Sequence, residues 1–549
     1  MTMKIDRDWW RGAVIYQIYP RSYQDSNGDG VGDLAGIVQR LPHVAALGAD
    51  AIWISPFFTS PMKDFGYDVS NYCDVDPLFG TLADFDAVVA KAHELGLRVM
   101  IDLVLSHTAD AHPWFKESRK NRTNPKADWY VWAEPKPDGT PPNNWLSIFG
   151  GSAWQWDGRR EQYYLHNFLT SQPDLNFHCT EVQDALLETM RFWLERGVDG
   201  FRLDTVNFYF HDAKLWSNPA WPQKDGRPAI NPYEMQNHLY SKTQPENIAF
   251  LKRMRALLEQ YEGRAMVGEV GESQRAVAVM AEYTKGTDRL HMAYSFDMLG
   301  PEFTAAHFRK CLEGFFTGAP DGWPWWSFSN HDVIRQVTRW AAHGETTDAV
   351  AKLAIAMLVG FEGTIGLYQG EELGQTETEL SYDELTDPPG LKFWPENKGR
   401  DGCRTPMVWE GGAPNAGFST AKPWLPVKAP QAARAVDLQE AQPGSVLHAY
   451  RAALAFRAGS EVLRAGRMLF VDAREPVLAF HRVLGDAALT CVFNLSAKPV
   501  ALTLTGAAVR AVGPSAAMTL NGGALVLGPS GYGYFSSSGG VVPGVTRQS

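Results

Sequence analysis

Cysteine is scarce in this chain. Five residues in 549, Cys73, Cys179, Cys311, Cys403 and Cys491, are scattered and odd in number. No CxxC pair or metal spacing joins them, which excludes a disulfide framework and predicts reduced thiols in a reducing compartment. Basic blocks are lacking too. The 51 Lys and Arg stand against 62 Asp and Glu, a net charge of −11, which excludes the footprint of a nucleic-acid partner. No apolar run reaches the roughly 18 residues that a membrane span needs. Met1 to Arg11 carries Asp6 and Asp8 where a signal peptide would carry an apolar core. These absences predict a cytoplasmic protein with no membrane partner, as a monomer or homodimer.

Aromatic residues, by contrast, reach 12% with 19 Trp. Flat apolar faces suit sugar rings, although large cores use Trp as well. The length exceeds one compact core and allows about two to four domains.

Along the chain, apolar strands alternate with amphipathic helices. Ala13 to Pro20, Ala51 to Phe58 and Arg98 to His107 read as strands, separated by helices Asp33 to Gly48 and Leu82 to Gly96 that end in Leu-Gly. Near-continuous apolar strands point to a parallel sheet buried on both faces. From Thr108 to Phe177 the rhythm breaks into a Trp-, Pro-, Asn- and Gly-rich stretch too long for a plain loop, so 108–177 is predicted as an inserted domain. The rhythm then returns: helix Glu181 to Gly197, strand Gly200 to Asn207, and four further strands at Arg264 to Gly271, Met292 to Met298, Trp325 to Asp332 and Thr364 to Glu371. Eight such units predict an α/β fold, a closed (β/α)₈ barrel over 1–107 and 178–465, with an excursion at 374–426 after the last strand. Beyond residue 466 short alternating strands without helices predict an antiparallel β domain, 466–549, ending in a weakly ordered tail from Ser536.

The stretch Gly200-Phe201-Arg202-Leu203-Asp204-Thr205-Val206-Asn207 puts two charges into an apolar strand. Alternation would set Arg202, Asp204 and Val206 on one face and Phe201, Leu203 and Thr205 on the other. Buried charges must be paired or useful, and a structural Arg–Asp pair is the simpler reading of the octapeptide alone. Other strand ends add Asp102, His107, Glu269, His331 and Asp332. Strand C-termini of a barrel converge on one rim, where active sites sit. Several carboxylates with no HxH metal pair suggest glycoside chemistry, in which one carboxylate attacks the sugar carbon and a protonated one serves the leaving oxygen.

The segments DLVLSH (Asp102–His107), QPDLN (Gln172–Asn176), GFRLDTVN, VGEVG (Val267–Gly271), FSNHD (Phe328–Asp332) and YQGEELG (Tyr368–Gly374) make the resemblance specific. In that order they resemble glycoside hydrolase family 13, the α-amylase clan, and within it the bacterial α-glucosidase and oligo-1,6-glucosidase branch. The resemblance implies a retaining enzyme with a barrel, a B domain inserted after strand three and a C-terminal β-sandwich. Carried over motif by motif, Asp204 is similar to the nucleophile, Glu269 to the general acid/base and Asp332 to the third catalytic acid. His107, Arg202 and His331 would surround the bound glucosyl unit, with Arg202 keeping Asp204 ionised. Asp64 and Tyr67 of DFGYD would hold and stack on the sugar, Phe149 and Phe168 resemble an aromatic clamp, and Gln172 lies at the pocket. KGRDGCRTPM resembles a motif with a glucose-binding Arg, assigned to Arg400 with Arg404 as the alternative. Thr205 follows the nucleophile and is implied to select the linkage: relatives cleaving α-1,6 bonds tend to carry Val there. Ser106 stands where α-amylases carry a calcium-binding Asn, which argues against that ion.

A second metal pattern lies elsewhere. Asp25, Asn27, Asp29, the Val31 carbonyl and Asp33 occupy positions one, three, five, seven and nine of an EF-hand-like loop, with Gly36 where the bidentate Glu would stand. Weak structural Ca²⁺ or Mg²⁺ binding is the expectation, aided by the same loop in relatives. A metal-free Asx/Gly turn is the alternative.

The sequence thus reads as an exo-acting α-glucosidase on short α-glucosides such as maltose or sucrose, with possible glucosyl transfer. A dedicated sucrose hydrolase, a transglucosidase, a sucrose isomerase and an oligo-1,6-glucosidase are its rivals. A non-catalytic transporter-associated homologue would have lost the acids and gained an anchor.

Overall fold

The computed structural model describes residues 6–222, 229–506, 508–537 and 543–547. Its centre is eight parallel strands: β1 Val14–Ile18, β2 Ala51–Ile54, β3 Arg98–Leu103, β4 Gly200–Leu203, β5 Ala265–Val270, β6 Met292–Ser295, β7 Trp325–Ser327 and β8 Thr364–Tyr368. They pair in the order β6-β5-β4-β3-β2-β1-β8-β7, and a parallel bridge between Ala293 and Pro324 joins the two ends into a barrel. Each strand is followed by a helix: α1 Leu34–Leu47, α2 Leu82–Glu94, α3 Thr180–Glu195, α4 Asn247–Leu258, α5 Ala276–Thr284, α6 Ala305–Gly318, α7 Thr347–Gly360 and α8 Val446–Ala458.

Local signals start and stop these helices. Asp33 caps α1, Thr81 and Asp84 form a reciprocal capping box on α2, and Thr304 and Thr346 cap α6 and α7, each filling N–H groups that the first turn leaves open. Gly48 ends α1 at φ 98, a conformation that glycine adopts without Cβ strain. The barrel floor is plugged by Trp9, Trp10, Trp53, Met100, Met292 and Trp325, so the interior is packed and only the opposite rim is open to chemistry.

The strands are shorter than the sequence predicts, always at their C-terminal ends. Strand β4 stops at Leu203, and Thr205 takes φ 37, ψ 51. The alternation drawn through Asn207 therefore fails after Leu203. Val206 enters a 3₁₀ turn and is fully buried in the core, while Thr205 turns to the same pocket as Asp204. Asp102, Arg202 and Glu269 stand in the last residues of their strands, whereas His107, Asp204, Thr205, His331 and Asp332 lie beyond them, where the backbone is free to turn inward.

The segment 108–177 carries a three-stranded antiparallel sheet of Trp132–Ala133, Gln162–Leu165 and Trp154–Asp157, with its own apolar centre around Trp145 and Trp154. C-terminal to the barrel, β9 Arg467–Phe470, β10 Val477–Leu484, β11 Ala487–Asn494, β12 Val500–Thr505, β13 Arg510–Asn521, β14 Ala524–Ser536 and β15 Gly544–Arg547 pair antiparallel. The long β14 pairs with β12 through its first half and with β11 through its second, and Val477, Val492, Leu502, Leu525 and Phe535 share one core between the halves. The tail expectation is corrected in part: Gly544–Arg547 pairs with β12, while 538–542 and 548–549 lie outside the described residues.

Candidate active site

Strand register places the first charged pair. Asp102 of β3 lies opposite Arg202 of β4, and Glu269 of β5 lies opposite Tyr294 of β6. Arg202 is fully buried, and its guanidinium is the hub. Nη1 donates to Asp102 Oδ1 at 2.8 Å and to Asp204 Oδ1 at 2.6 Å. Nη2 stands 2.6 Å from Glu269 Oε1, and Nε and Nη2 donate to Tyr294 Oη at 3.1 and 2.9 Å. The Trp53 ring lies 4.9 Å from the guanidinium carbon. The planar fork is thus filled on every edge, as a buried arginine requires. The Arg–Asp pair within the octapeptide, Arg202 with Asp204, is formed, and Asp102 from outside it shares the same guanidinium. Asp102 is the structural partner, fully buried and outside the pocket, whereas Asp204 and Glu269 line it.

Beyond β4 the backbone supplies the next contact. The left-handed turn at Thr205 is strained for a β-branched residue. It aims the Thr205 N–H at Glu269 Oε2, 3.1 Å away, while Tyr294 Oη donates to Glu269 Oε1 at 2.9 Å. Asp204 Oδ2 is the less engaged oxygen: its neighbour is the Thr205 hydroxyl at 3.3 Å. That hydroxyl also stands 3.2 Å from Ser106 Oγ. Burial pushes both Asp204 and Glu269 up to about 7, against the pull of Arg202. One arginine therefore serves two acids that resist ionising together.

Asp332 is the third acid on the pocket wall. Arg400 Nη1 donates to its Oδ1 at 3.2 Å and Arg404 Nη2 at 3.1 Å. Burial would raise this carboxyl, but the permanent charges of Arg400 and Arg404 hold it well below its ordinary value, so it stays ionised. Arg400 also donates to Asp64 Oδ1 at 2.9 Å and is gripped from behind by Asp387 at 2.7 Å. Of the two arginines considered, Arg400 lines the pocket. Arg404 is fully buried behind it and donates to the His331 carbonyl at 2.8 Å.

The histidines are neutral. Burial pushes His107 down to about 4 and His331 well below its ordinary value. Gln17 Nε2 donates to His331 Nδ1 at 2.8 Å, so the ring's Nε2–H donates to Tyr67 Oη at 2.5 Å, and Tyr67 donates to Asp102 at 3.1 Å. Tyr67 and His331 are stacked at 5.3 Å between centroids. His107 Nε2 donates to the Tyr67 carbonyl at 3.0 Å, leaving Nδ1 to accept from Ser106 Oγ at 2.9 Å. Gln172 Nε2 donates to Asp64 Oδ2 at 3.0 Å. These bonds fix side chains from β1, β3, β4 and three loops against one another before any sugar arrives.

The resulting pocket of about 380 Å³ is lined by Asp64, Tyr67, His107, Asp204, Thr205, Glu269, Asp332 and Arg400, with Phe149 and Phe168 above them. The two phenylalanines meet edge to face at 5.8 Å. The residues matched by motif are brought together, with Gln172, Arg202 and His331 in direct contact behind the wall. Sequence reading missed Asp387, which orients Arg400, Tyr294, which orients Glu269, and the outer lining of Phe208, Tyr233, Lys242, Glu272 and Phe296. Register opposite a charged strand end could have found Tyr294. Asp387 sits in a Pro/Gly-rich excursion with no periodic signal.

The model for the α-amylase catalytic domain matches residues 17–466. The chain belongs to the α-amylase family of glycoside hydrolases. A "probable alpha-glucosidase" of Rhizobium meliloti is 62% identical over 496 residues, 89% of this chain and 90% of that protein. An "oligo-1,6-glucosidase" of Heyndrickxia coagulans is 36% identical over 531 residues, covering 90% and 93%. Among solved structures, the "alpha-glucosyl transfer enzyme" XgtA is similar with a TM-score of 0.93 and 54% identity, over 98% of this chain and 99% of that one. In this chain the barrel rim carries the acids, and two long insertions wall the pocket: Phe149 and Phe168 come from 108–177, Arg400 from 374–426.

The loop 25–33 lies apart from this site. Asp25 accepts the N–H groups of Asn27, Gly28 and Gly30, Asn27 accepts that of Asp29, and Asp29 that of Val31. Side-chain oxygens at 25, 27 and 29 therefore fold back onto the loop, and those of Asn27 and Asp29 keep lone pairs for a cation. Asp33 fits the ligand set poorly. Its carboxylate is filled by Ser26 and by the Gly36 N–H as the cap of α1. Among the described residues no group of three or more His, Cys, Asp or Glu forms a metal cluster. The loop is further tied to the excursion by Ser419 Oγ to Asp25 at 2.5 Å and by the Trp424 N–H to the Gly30 carbonyl at 3.0 Å.

Proposed function

We propose that this protein is a retaining, exo-acting α-glucosidase that removes one glucosyl unit from short α-glucosides of the maltose or sucrose type. The observation that carries the reading is Arg202 held 2.6 Å from both Asp204 and Glu269 in one walled pocket. Glu269 protonates the glycosidic oxygen as Asp204 Oδ2 attacks the sugar carbon, forming a covalent glucosyl ester. Glu269, now ionised, takes a proton from water or an acceptor hydroxyl, whose oxygen displaces Asp204. Asp332, Asp64 and Arg400 hold the glucose hydroxyls. The walls from both insertions favour a short substrate, and likeness to a protein described as an α-glucosyl transfer enzyme supports transfer beside hydrolysis. Glucose release from maltose, isomaltose, sucrose and trehalose tests the reading. Release from none of them, with cleavage inside long α-glucans instead, would replace the exo-glucosidase with an endo-acting enzyme.

Linkage preference for α-1,4 over α-1,6 is assigned to Thr205. Valine is nearly isosteric but lacks the hydroxyl that stands 3.3 Å from Asp204 Oδ2. Loss of a hydrogen bond beside the reacting atoms costs about 1–3 kcal/mol, roughly tenfold to a hundredfold in kcat/KM. Thr205→Val should therefore lower the maltose-to-isomaltose ratio of kcat/KM. An unchanged ratio would remove Thr205 as the selector.

The loop 25–33 is assigned a weak structural Ca²⁺ or Mg²⁺ held by Asn27, Asp29 and the Val31 carbonyl, taking no part in the reaction; Asp25, like Asp33, spends its carboxylate on the protein's own hydrogen bonds. An ion bound only by the folded state stabilises by about 2.7 kcal/mol at a hundred times its Kd. EDTA should lower the melting temperature by about two degrees and the rate far less. No change in either EDTA or Asp29→Ala would leave the loop closed by hydrogen bonds alone. The free state of all five cysteines favours the cytoplasm.

A further inference from the structure

Glu269 serves the oxygen that joins glucose to its leaving group, so the wall next to Glu269 on the outer side meets the leaving group and, later, the acceptor. Part of that wall has no role in the chemistry above. Lys242, in the long connection between β4 and α4, lines the pocket yet is only 3% exposed. Its Nζ donates to the Gly271 carbonyl at 2.6 Å and to Tyr233 Oη at 3.0 Å. Gly271 stands two residues beyond Glu269, so the ammonium is fastened beside the acid/base. The faces of Phe208 and Tyr233 lie 4.8 and 5.4 Å from Nζ.

An ammonium has three N–H donors, and two of these are filled. Glu272 supports the ammonium by its charge but spends its hydrogen bonds elsewhere: on the Ser273 N–H at 3.1 Å and Thr243 Oγ1 at 3.2 Å, with Arg275 at 3.7 Å. The rest of the outer lining includes Phe208, Phe296 and Ser273, and among the described residues none of these three accepts from the ammonium, whose hydrogen bonds go to Tyr233 and Gly271. A buried cation with an open donor favours any ligand oxygen that reaches it. Burial also pushes Lys242 down to about 8, which leaves it a charged donor at neutral pH.

We propose that Lys242 is the recognition residue for hydroxylated leaving groups and acceptors, its third N–H donating to a sugar hydroxyl beside the scissile oxygen. The inference rests on the α-glucosidase reading and extends it to what occupies the outer half of the pocket. Lys242 positions the acceptor and exchanges no proton. The acceptor oxygen forms its bond to the sugar carbon as the Asp204 ester bond breaks, and the acceptor proton passes to Glu269. Water needs no such anchor, so Lys242 also biases the enzyme toward transfer.

Lys242→Met keeps an unbranched chain and removes the donor. The ratio of kcat/KM for maltose to that for p-nitrophenyl α-glucoside, whose leaving group has no hydroxyl at the scissile bond's neighbour, should fall tenfold or more. The ratio of transfer to hydrolysis with added maltose should fall severalfold, and Lys242→Arg should restore most of both. Equal losses on the two glucosides, with an unchanged product ratio, would make Lys242 a staple between loops and overturn the proposal. If Lys242→Met does not fold, Lys242→Gln carries the same comparison with a severalfold fall expected. Failure of the wild type to release glucose from either substrate overturns the glucosidase reading itself, and this inference with it.

Discussion

Asp204→Asn should abolish turnover while leaving the fold in place. Arg202 keeps Asp102 and Glu269 as partners, and an Asn carbonyl can still accept from Nη1, so the buried guanidinium is not stranded. What disappears is the anionic oxygen that forms the ester. Removing a group that acts as one unit with its partners costs on the order of 10⁴-fold or more in kcat. The melting temperature should move by a few degrees at most. Activity above a few per cent of wild type, in a preparation free of contaminating enzyme, would move the nucleophile elsewhere. A collapse of the melting temperature would instead show that Asp204 is chiefly a partner for Arg202.

Glu269→Gln should be almost as damaging on maltose, by about 10²- to 10⁴-fold, the range of general acid–base catalysis. The loss should shrink for formation of the ester from an α-glucosyl fluoride, because fluoride departs with little protonation. The pH profile gives the same assignment independently. Below the first titration of the Asp204–Glu269 pair both carboxyls are protonated and no nucleophile exists. Above the second both are ionised and no acid remains. The wild-type kcat/KM should thus be bell-shaped near neutrality, since burial raises both groups to about 7 and the two values belong to the pair. In Glu269→Gln the alkaline limb should vanish and the acid limb persist. A variant that keeps its alkaline limb would place the acid on another residue.

Much of the site was legible because each acid sits at the end of an apolar strand, where a charge stands out from its neighbours. Asp204, Glu269 and Asp332 are such cases, and register alone explains why Arg202 meets Asp102. The sequence was less informative once the backbone left the strands. Alternation placed Thr205 away from Asp204, but a left-handed turn at φ 37 brings both to the pocket, and β-branched residues rarely advertise that conformation. Arg400 was found by motif, whereas Asp387, thirteen residues earlier, was not. It lies in an irregular segment whose contacts are set by tertiary packing rather than by period. Lys242 and Tyr233 were missed for the same reason. The C-terminal domain was legible as alternating strands, yet the pairing of Gly544–Arg547 was hidden in Gly- and Ser-rich surroundings.

The central claim is that Asp204, steadied by Arg202, carries glucose through a covalent ester. The most direct test is to trap that ester with 5-fluoro-α-glucosyl fluoride, digest the enzyme and map the modified peptide by mass spectrometry. One fluoroglucosyl group per chain, attached to Asp204, is the expected result. A label on Glu269 or another residue, or steady fluoride release with no adduct at all, would contradict it.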